Sequence, residues 1–358
     1  MDDSLTLIVG GERHGGWTDV EVALSLEQVA GGFAISLTEK WLDGSGGFKV
    51  RPVDPGAACR VELGGEVLID GHVDTSSARF DRSGHTVLIQ GRDRTADLVD
   101  SSAVHDPDEW RGETLEQIVR RLAAPFGVKV TAKADTGEPF EDPNPFKIQQ
   151  GETAFDAIDR ACRLRAVLAV PDGKGGLLLT RGDPEGEAEA LIEGKNIEAV
   201  DRTLDNASRF SRYIVKGQSA GSDDFNGDDA AGPQAESTDS GITRDRPLMV
   251  MAEVAAADLQ KRADWEANIR AARAESVRVT VAGWRQGDGT VWRFNRTASV
   301  DVPSLGINAT LLIVGTRFTK DPESGTHTTL LLMPKEAFQP APPEVEEAAA
   351  GDDAGGFY

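Results

Sequence analysis

The sequence predicts a mainly β fold with an α+β insertion. Three observations carry that prediction. Thirty-nine Gly and 17 Pro divide the chain into short apolar runs, and most of those runs alternate with period two, the mark of a half-buried strand. At least five such runs fall within the first ~90 residues, the density of an antiparallel barrel or sandwich. The period then changes to helical at two places between residues 92 and 182, before strands return.

The elements follow in order. Leu5-Thr6-Leu7-Ile8-Val9 is a strand closed by Gly10-Gly11. Val20, Val22, Leu24 and Leu26 alternate with polar or small residues, and Phe33, Ile35 and Leu37 repeat the pattern before the loop Gly44-Ser45-Gly46-Gly47. Further strands are expected at 60–63, 67–70, 72–80 and 86–91, completing a first β domain over 1–91. Leu115, Ile118, Val119 and Leu122 then share one helical face, with Thr114 and Gln117 placed as a capping box. A strand at 128–131 precedes a loop marked by Pro139, Pro143 and Pro145. A second helix, about 153–166, starts at Thr153 and places Phe155, Ile158 and Cys162 on one face. Strands at 167–170 and 177–180 flank the turn Asp172-Gly173-Lys174-Gly175-Gly176. Residues 92–182 therefore read as a small α+β domain.

Strands resume at 197–203 and 212–216. Residues 219–241 hold six acidic residues, four Gly and one Pro without any Lys or Arg, the composition of a flexible excursion or long loop. Residues 258–274 look helical, with Trp265, Ile269 and Ala272 on one face. Strands follow at 276–283, 291–294, 298–302, 311–320 and 327–333. The span 183–338 is thus a second β domain interrupted by the acidic loop and the helix, and 339–358 is an acidic tail expected to be disordered.

Composition limits the function. The chain has 358 residues, 38 Lys+Arg and 60 Asp+Glu, for a formal charge of −22 and a pI near 4.6. That length suggests two or three domains. The acidity and the lack of a basic run argue against an electrostatic grip on nucleic acid or anionic membrane. No signal peptide and no span of the roughly 18 apolar residues that crosses a bilayer are apparent. Two cysteines, Cys59 and Cys162, exclude a disulfide scaffold and a CxxC zinc site. These features describe a soluble, acidic protein of a reducing compartment. Four segments without Lys or Arg (134–146, 182–193, 219–241 and 341–358) carry most of the acidity, so the folded body is near neutral.

Catalytic signatures are missing. There is no phosphate-binding loop, no G-x-S-x-G elbow and no H-E-x-x-H helix. His14, His72, His85, His105 and His327 stand too far apart for metal-ligand spacing. Cys162 lies on an apolar helix face and Cys59 at a strand entry, the settings of inert buried thiols. The cluster Asp224 to Asp229 resembles an oxygen-rich calcium loop but lacks Gly at the sixth position and has Ala235 at the twelfth. Arg120, Arg121, Arg160, Arg163 and Arg165 are expected to pair with nearby acids. Residues 113–131 have the cadence of a glycan-binding LysM module, over too short a stretch to imply sugar binding. No cofactor, metal or catalytic residue is assigned.

One stretch identifies a family. Gly91-Arg92-Asp93-Arg94-Thr95-Ala96-Asp97-Leu98-Val99-Asp100-Ser101-Ser102-Ala103 resembles the segment after the first barrel in baseplate hub proteins of Mu-like contractile-tail phages. This tail protein P family is itself similar to the late control protein D group and to the hub part of VgrG. Glu152–Ile158 with Leu177–Arg181, then Arg212–Gln218, then Trp265 through Gly283-Trp284 and Trp292 to Leu311–Val314, fit in the same order. The resemblance spans about residues 4–338. It implies two tube-type antiparallel β-barrel domains per chain, in a homotrimer whose pseudo-six-fold ring joins a six-fold tail tube to a three-fold spike. DNA would pass through the lumen without specific binding, and an acidic lining would repel its phosphates. Nothing after residue 338 resembles a spike, so the spike is expected to be a separate chain. The other implied partners are tail tube and baseplate wedge proteins, with no stable membrane insertion. The implied location is the virion baseplate, after synthesis and assembly in the host bacterial cytoplasm. The family-motif positions Gly91, Asp93, Asp97, Leu98, Asp100, Trp265, Gly283, Trp284 and Trp292 are assigned structural roles, and the protein is read as a non-enzyme. The competing readings are a tail-associated peptidoglycan hydrolase using a carboxylate pair, a glycan-binding tail protein, and the hub of a contractile secretion or injection machine.

Overall fold

A computed structural model describes residues 4–39, 53–80, 82, 85–142, 144–217, 233–252 and 258–343. The first stretch holds β1 (Leu5–Val9), β2 (Glu12–His14), β3 (Asp19–Ser25), β4 (Gln28–Glu39), β5 (Ala58–Leu63), β6 (Glu66–Phe80) and β7 (His85–Asp93). The middle holds α1 (Ala96–Asp100), β8 (Glu109–Trp110), α2 (Leu115–Ala123), β9 (Val130–Ala132), β10 (Phe146–Lys147), α3 (Ala154–Arg163), β11 (Leu168–Pro171) and β12 (Leu177–Thr180). The last holds β13 (Leu191–Ile192), β14 (Ala199–Leu204), β15 (Arg212–Gly217), β16 (Gln234–Thr238) and β17 (Pro247–Ala252). It continues with α4 (Leu259–Arg273), β18 (Glu275–Ala282), β19 (Arg296–Val302), β20 (Ile307–Asp321) and β21 (Gly325–Met333).

The two β regions share one 13-stranded sheet, ordered β14-β18-β21-β20-β3-β4-β7-β6-β5-β1-β2, with β19 on β20 and β13 on β19. They meet where β3 and β20 pair antiparallel, from Val20 opposite Lys320 to Ser25 opposite Gly315. The apolar face is continuous across that joint: Val22, Ile35 and Ile69 belong to the same buried cluster as Val279, Phe318 and Leu330. The separation into two β domains expected from sequence is thus a matter of topology, while the core is common to both.

The topology is duplicated. In chain order, β3-β4-β5-β6-β7 correspond to β14-β18-β19-β20-β21. The ladders β3–β4, β4–β7, β7–β6 and β6–β5 are matched by β14–β18, β18–β21, β21–β20 and β20–β19, all antiparallel. The long strands β6 and β20 each have 15 residues, and β7 and β21 each have nine. Each long strand shifts register near its middle, between Val73 and Thr75 and between Ile313 and Gly315. Such a bulge bends a strand and increases its twist, as closing a curved wall requires.

The α+β unit has its own core, which includes Leu98, Trp110, Ile118, Phe146, Ile158 and Cys162. Both expected helix starts carry capping boxes, Thr114 with Gln117 and Thr153 with Asp156. Parallel pairing of β9 with β12 and antiparallel pairing of β11 with β12 complete the layer on which α2 and α3 pack.

Several sequence expectations change. The two strands expected at 67–70 and 72–80 are one strand, because Gly71 continues the ladder; a Cβ there would collide with the Arg92 carbonyl of β7. No strand forms at 291–294; Val291 makes only an isolated bridge to Arg285, and Val291, Trp292 and Phe294 are buried by loop packing instead of a ladder. The acidic excursion is not loop throughout. Residues 234–238 form β16, which pairs β15, while β17, unforeseen, pairs β15 on its other side. With α4 these strands bury Val215, Ala252, Leu259 and Ala263, so the interruption of the second β unit is itself folded. The loop at 44–47, the part of the excursion at 219–232 with its cluster 224–229, and the tail beyond 343 lie outside the described residues.

Candidate functional site

The segment Gly91–Asp100 leaves the first β unit and enters the α+β unit, and its side chains fasten the two together. Gly91 lies under the aromatic ring of Phe33, where a Cβ would approach Phe33 Cε1 to 2.7 Å. The Arg92 guanidinium bridges Asp74 on β6 (2.7 Å) and Asp100 on α1 (2.8 Å). Asp97 stands 3.7 Å from His72, and Leu98 is fully buried. Arg94 donates to Asp70 at 2.6 Å and to the Gly127 carbonyl at 3.4 Å. Thr95 Oγ1 donates to the Val29 carbonyl at 2.8 Å.

Asp93 is the unusual member. It is 2% exposed, and its Oδ2 accepts the Gly31 N–H at 3.0 Å. Its Oδ1 has no hydrogen-bond partner among the described residues. Burial pushes the carboxyl up to about 7, against the lowering influence of the Gly31 N–H.

A second fastening joins all three units. Glu66 faces Arg285 at 2.8 Å and Arg293 at 3.6 Å. Arg293 also donates to the Val67 carbonyl (3.0 Å) and to the Gly173 carbonyl (3.4 Å) of the β11–β12 turn. Burial, its largest influence, lowers the Arg293 pKa, while Glu66 acts to raise it. Trp284 and Trp292 are buried beside it. Trp284 Nε1 donates to the Thr319 carbonyl at 3.0 Å, and Trp292 N–H donates to the Trp284 carbonyl at 3.3 Å. Gly283 turns the chain into this pair at φ +73°, a conformation that favours glycine.

The motif positions therefore fall into two groups, with Trp265 apart from both. Gly91, Asp93, Asp97, Leu98 and Asp100 share the first seam, and Gly283, Trp284 and Trp292 the second. Trp265 sits on α4 and donates to the Gln339 carbonyl at 2.9 Å. Sequence reading passed over Glu66, Asp70, Arg285 and Arg293 as tie residues. The Arg293 partner Val67 lies 226 positions away and the Arg285 partner Glu66 219, so no local spacing could reveal them.

The remaining chemistry is modest. Cys59 and Cys162 are buried, which raises both thiols, Cys59 to about 12. Among the described residues no group of three or more His, Cys, Asp or Glu could hold a metal, and no helix is long and apolar enough to cross a membrane. The 113–131 segment spends its apolar face inside, with Leu115, Ile118, Val119 and Leu122 buried. The opposite face of the large sheet carries small and polar side chains. It includes Asp19, Glu21 and Ala23 on β3 and Arg278 and Thr280 on β18, alternating with buried valines. A shallow depression of about 440 Å³ opens on that face beside Glu21, Ala34, Gln90 and Arg92.

A duplicated, curved sheet with a polar open face, braced by ion pairs and buried tryptophans, defines a structural scaffold of the phage tail-hub class. The comparisons agree. Residues 4–93 match the family model for the N-terminal domain of Mu phage baseplate assembly protein GpP-like proteins. Residues 95–181 match the second domain of gp44-like baseplate hub proteins, and 255–341 the fourth domain of the Mu phage baseplate assembly protein GpP. The chain is 32% identical to the baseplate hub protein gp44 of Escherichia phage Mu over 366 residues, covering 100% of this chain and 95% of that protein. It superposes on the 43 kDa tail protein of prophage MuSo2 from Shewanella oneidensis with a TM-score of 0.83 and 32% identity, covering 94% and 99% of the two chains. A tail protein from Neisseria meningitidis shares the fold at a TM-score of 0.77 and 22% identity, over 94% and 99% of the chains. The chain belongs to the Mu-type baseplate hub protein family.

Proposed function

We propose that this protein is the structural hub of a contractile-tail baseplate, working as a homotrimeric ring in which each chain supplies two β units. The observation that carries the reading is the duplicated ladder. Two equivalent units per chain, related within one sheet, let three chains present six similar wall segments to a six-fold tube while keeping three-fold contacts for a spike. The polar face of the sheet would then line a channel through which DNA passes.

The lining this implies is balanced. Asp19, Glu21 and Asp201 on the open face are offset by Arg278 and Arg317. An acidic lumen would have to come from the acidic segments, and part of one of those is committed elsewhere. Glu189 accepts the Gly287 N–H at 2.6 Å, Glu193 accepts the Ser304 N–H at 3.0 Å, and Glu185 pairs with Lys133. A mixed, small-residue lining suits passage of a polyanion, because it neither traps phosphates nor builds a repulsive barrier.

The non-enzymatic reading rests on the same residues, since the polar clusters are spent on bracing. Removing the gene from the particle it serves tests the proposal. The expected result is loss of complete tails, restored by supplying the protein in trans. Complete, infective tails without it would overturn the hub role. Incubation with purified cell walls should release no muropeptides; release would favour the hydrolase.

A further inference from the structure

The insertion in the second β unit turns an apolar sheet face to solvent. β15 is the central strand of its small sheet, with β16 antiparallel on one side and β17 parallel on the other. Val215, Ala235, Val250 and Ala252 face α4 and pack against Leu259 and Ala263. The alternate residues make the other face. There the register sets Met249, Ile214 and Glu236 in one row and Met251 and Lys216 in the next, with Arg212 on the far side of Ile214. Met249 is 56% exposed and Met251 59%. Two of the chain's four methionines thus stand together where a solvated sheet ordinarily carries polar side chains. Methionine adapts its shape to irregular surfaces and is enriched at interfaces.

We propose that this face seats an amphipathic helix of another tail protein, one whose apolar stripe is bordered by carboxylates. Size and charge both select that occupant. Three strands about 4.8 Å apart make a platform as wide as one helix, about 10 Å across. Arg212 and Lys216 flank Ile214 along β15, and Arg244 is exposed in the turn before β17. Glu236 lies in the Ile214 row, and Asp245 pairs with Arg212 at 3.4 Å. The face is therefore cationic at its margin in a chain whose formal charge is −22, and its complement is acidic.

Other occupants fit less well. A second copy docked face to face would bring the β15 cations against their own images. A phosphate backbone would meet methionines where it needs cations. Placement narrows the partner further. β14 and β18 are joined through this insertion, whereas their counterparts β3 and β4 are joined by Leu26 and Glu27 alone. The face therefore occurs once per chain. On the hub reading above, on which this step rests, it occurs three times per ring, so its partner meets the ring with three-fold and not six-fold symmetry.

The test uses assembled tails in which the photo-cross-linker p-benzoylphenylalanine replaces Met249. Irradiation should join the hub chain to a peptide of another tail protein, and that peptide should carry acidic residues at helical spacing beside apolar ones. A cross-link to a second hub chain, to DNA or to a peptide without acids would overturn the proposal, as would no cross-link in assembled tails. If that variant does not assemble, complementation decides. Met249→Asp with Met251→Asp should lower infective tails about a hundredfold, the scale of losing an interface anchor, and should leave the urea midpoint of the purified chain unchanged. Met249→Leu with Met251→Leu should match the unaltered chain. Undiminished tails with the Asp pair would overturn the helix seat. The hub reading would stand in that case, because tails would still depend on the gene.

Discussion

Leu24 and Leu204 hold corresponding positions near the ends of β3 and β14, one buried at 3% exposure and the other open at 64%. The strands have seven and six residues and pair antiparallel with corresponding neighbours, so the contrast comes from what lies beside them. β3 lies between β4 and β20, whereas β14 pairs, among the described residues, only with β18. The same local pattern is therefore worth different amounts in the two places, because burial depends on the neighbour as well as on the residue. The second difference is what interrupts each unit. The second carries β15–β17 and α4 between β14 and β18, with a core of its own, and the main ladder is undisturbed. An insertion that buries its own apolar face leaves the host sheet free to keep its register.

The contrast can be broken or sharpened by substitution. Phe318→Ala removes a fully buried ring at the finished joint, opposite Val22. It should cost about 3–5 kcal/mol, read as a lower urea midpoint. Leu24→Ala should cost about 2–5 kcal/mol in the isolated chain, while Leu204→Ala should stay within about 0.5 kcal/mol. Equal losses at the two positions would mean that β14 is already covered.

Asp93 supplies a pH test of the seam. Its carboxyl is raised to about 7 by burial, above its value of 3.8 in the unfolded chain. The folded state therefore holds a proton that the unfolded state has released. Its contribution is present at low pH and is lost as pH rises from about 4 to 7, by on the order of 4 kcal/mol at most. Asp93→Asn should flatten that part of the stability–pH profile, and an unchanged slope would show that Asp93 is charged and compensated.

Smaller effects are expected at the surface. Breaking the exposed Arg317–Glu21 pair by Arg317→Ala should change stability by no more than about 1 kcal/mol. The His327 ring lies 2.6 Å from the Ser324 carbonyl and 2.7 Å from Glu198, and these raise its pKa. Its small contribution is present below the ordinary His range and fades as pH climbs through the raised value. An NMR titration should place its midpoint above that of a His in the unfolded chain.

How much of this was legible in the sequence differs by interaction range. Strands with period two, such as Val20 to Leu24, the capping box of Thr114 with Gln117 and the N-cap Thr153 could be read because their signals lie within four residues. Strand β17 carried a period-two run, Leu248, Val250 and Ala252 facing inward, and was missed among its acidic and polar surroundings. The buried run Val291–Phe294 misled in the other direction, since hydrophobicity alone cannot tell a ladder from a packed loop. The seam was half visible. Gly91 to Asp100 stood out as a family segment, but that Arg92 joins Asp74 to Asp100, or that Arg293 reaches Val67 and Gly173, depends on chain returning from a distance. The duplication was implied only by the family resemblance; no internal repeat marks it, because it resides in ladder order, which many residue choices satisfy.

The central claim is that the two β units of one chain are equivalent wall segments of a trimeric ring. Electron cryomicroscopy of the hub layer in assembled tails tests it most directly. The account predicts three copies whose six β units stand as similar wall segments around one channel. Six copies in the layer, or three in which only one β unit of each chain lines the channel, would contradict it.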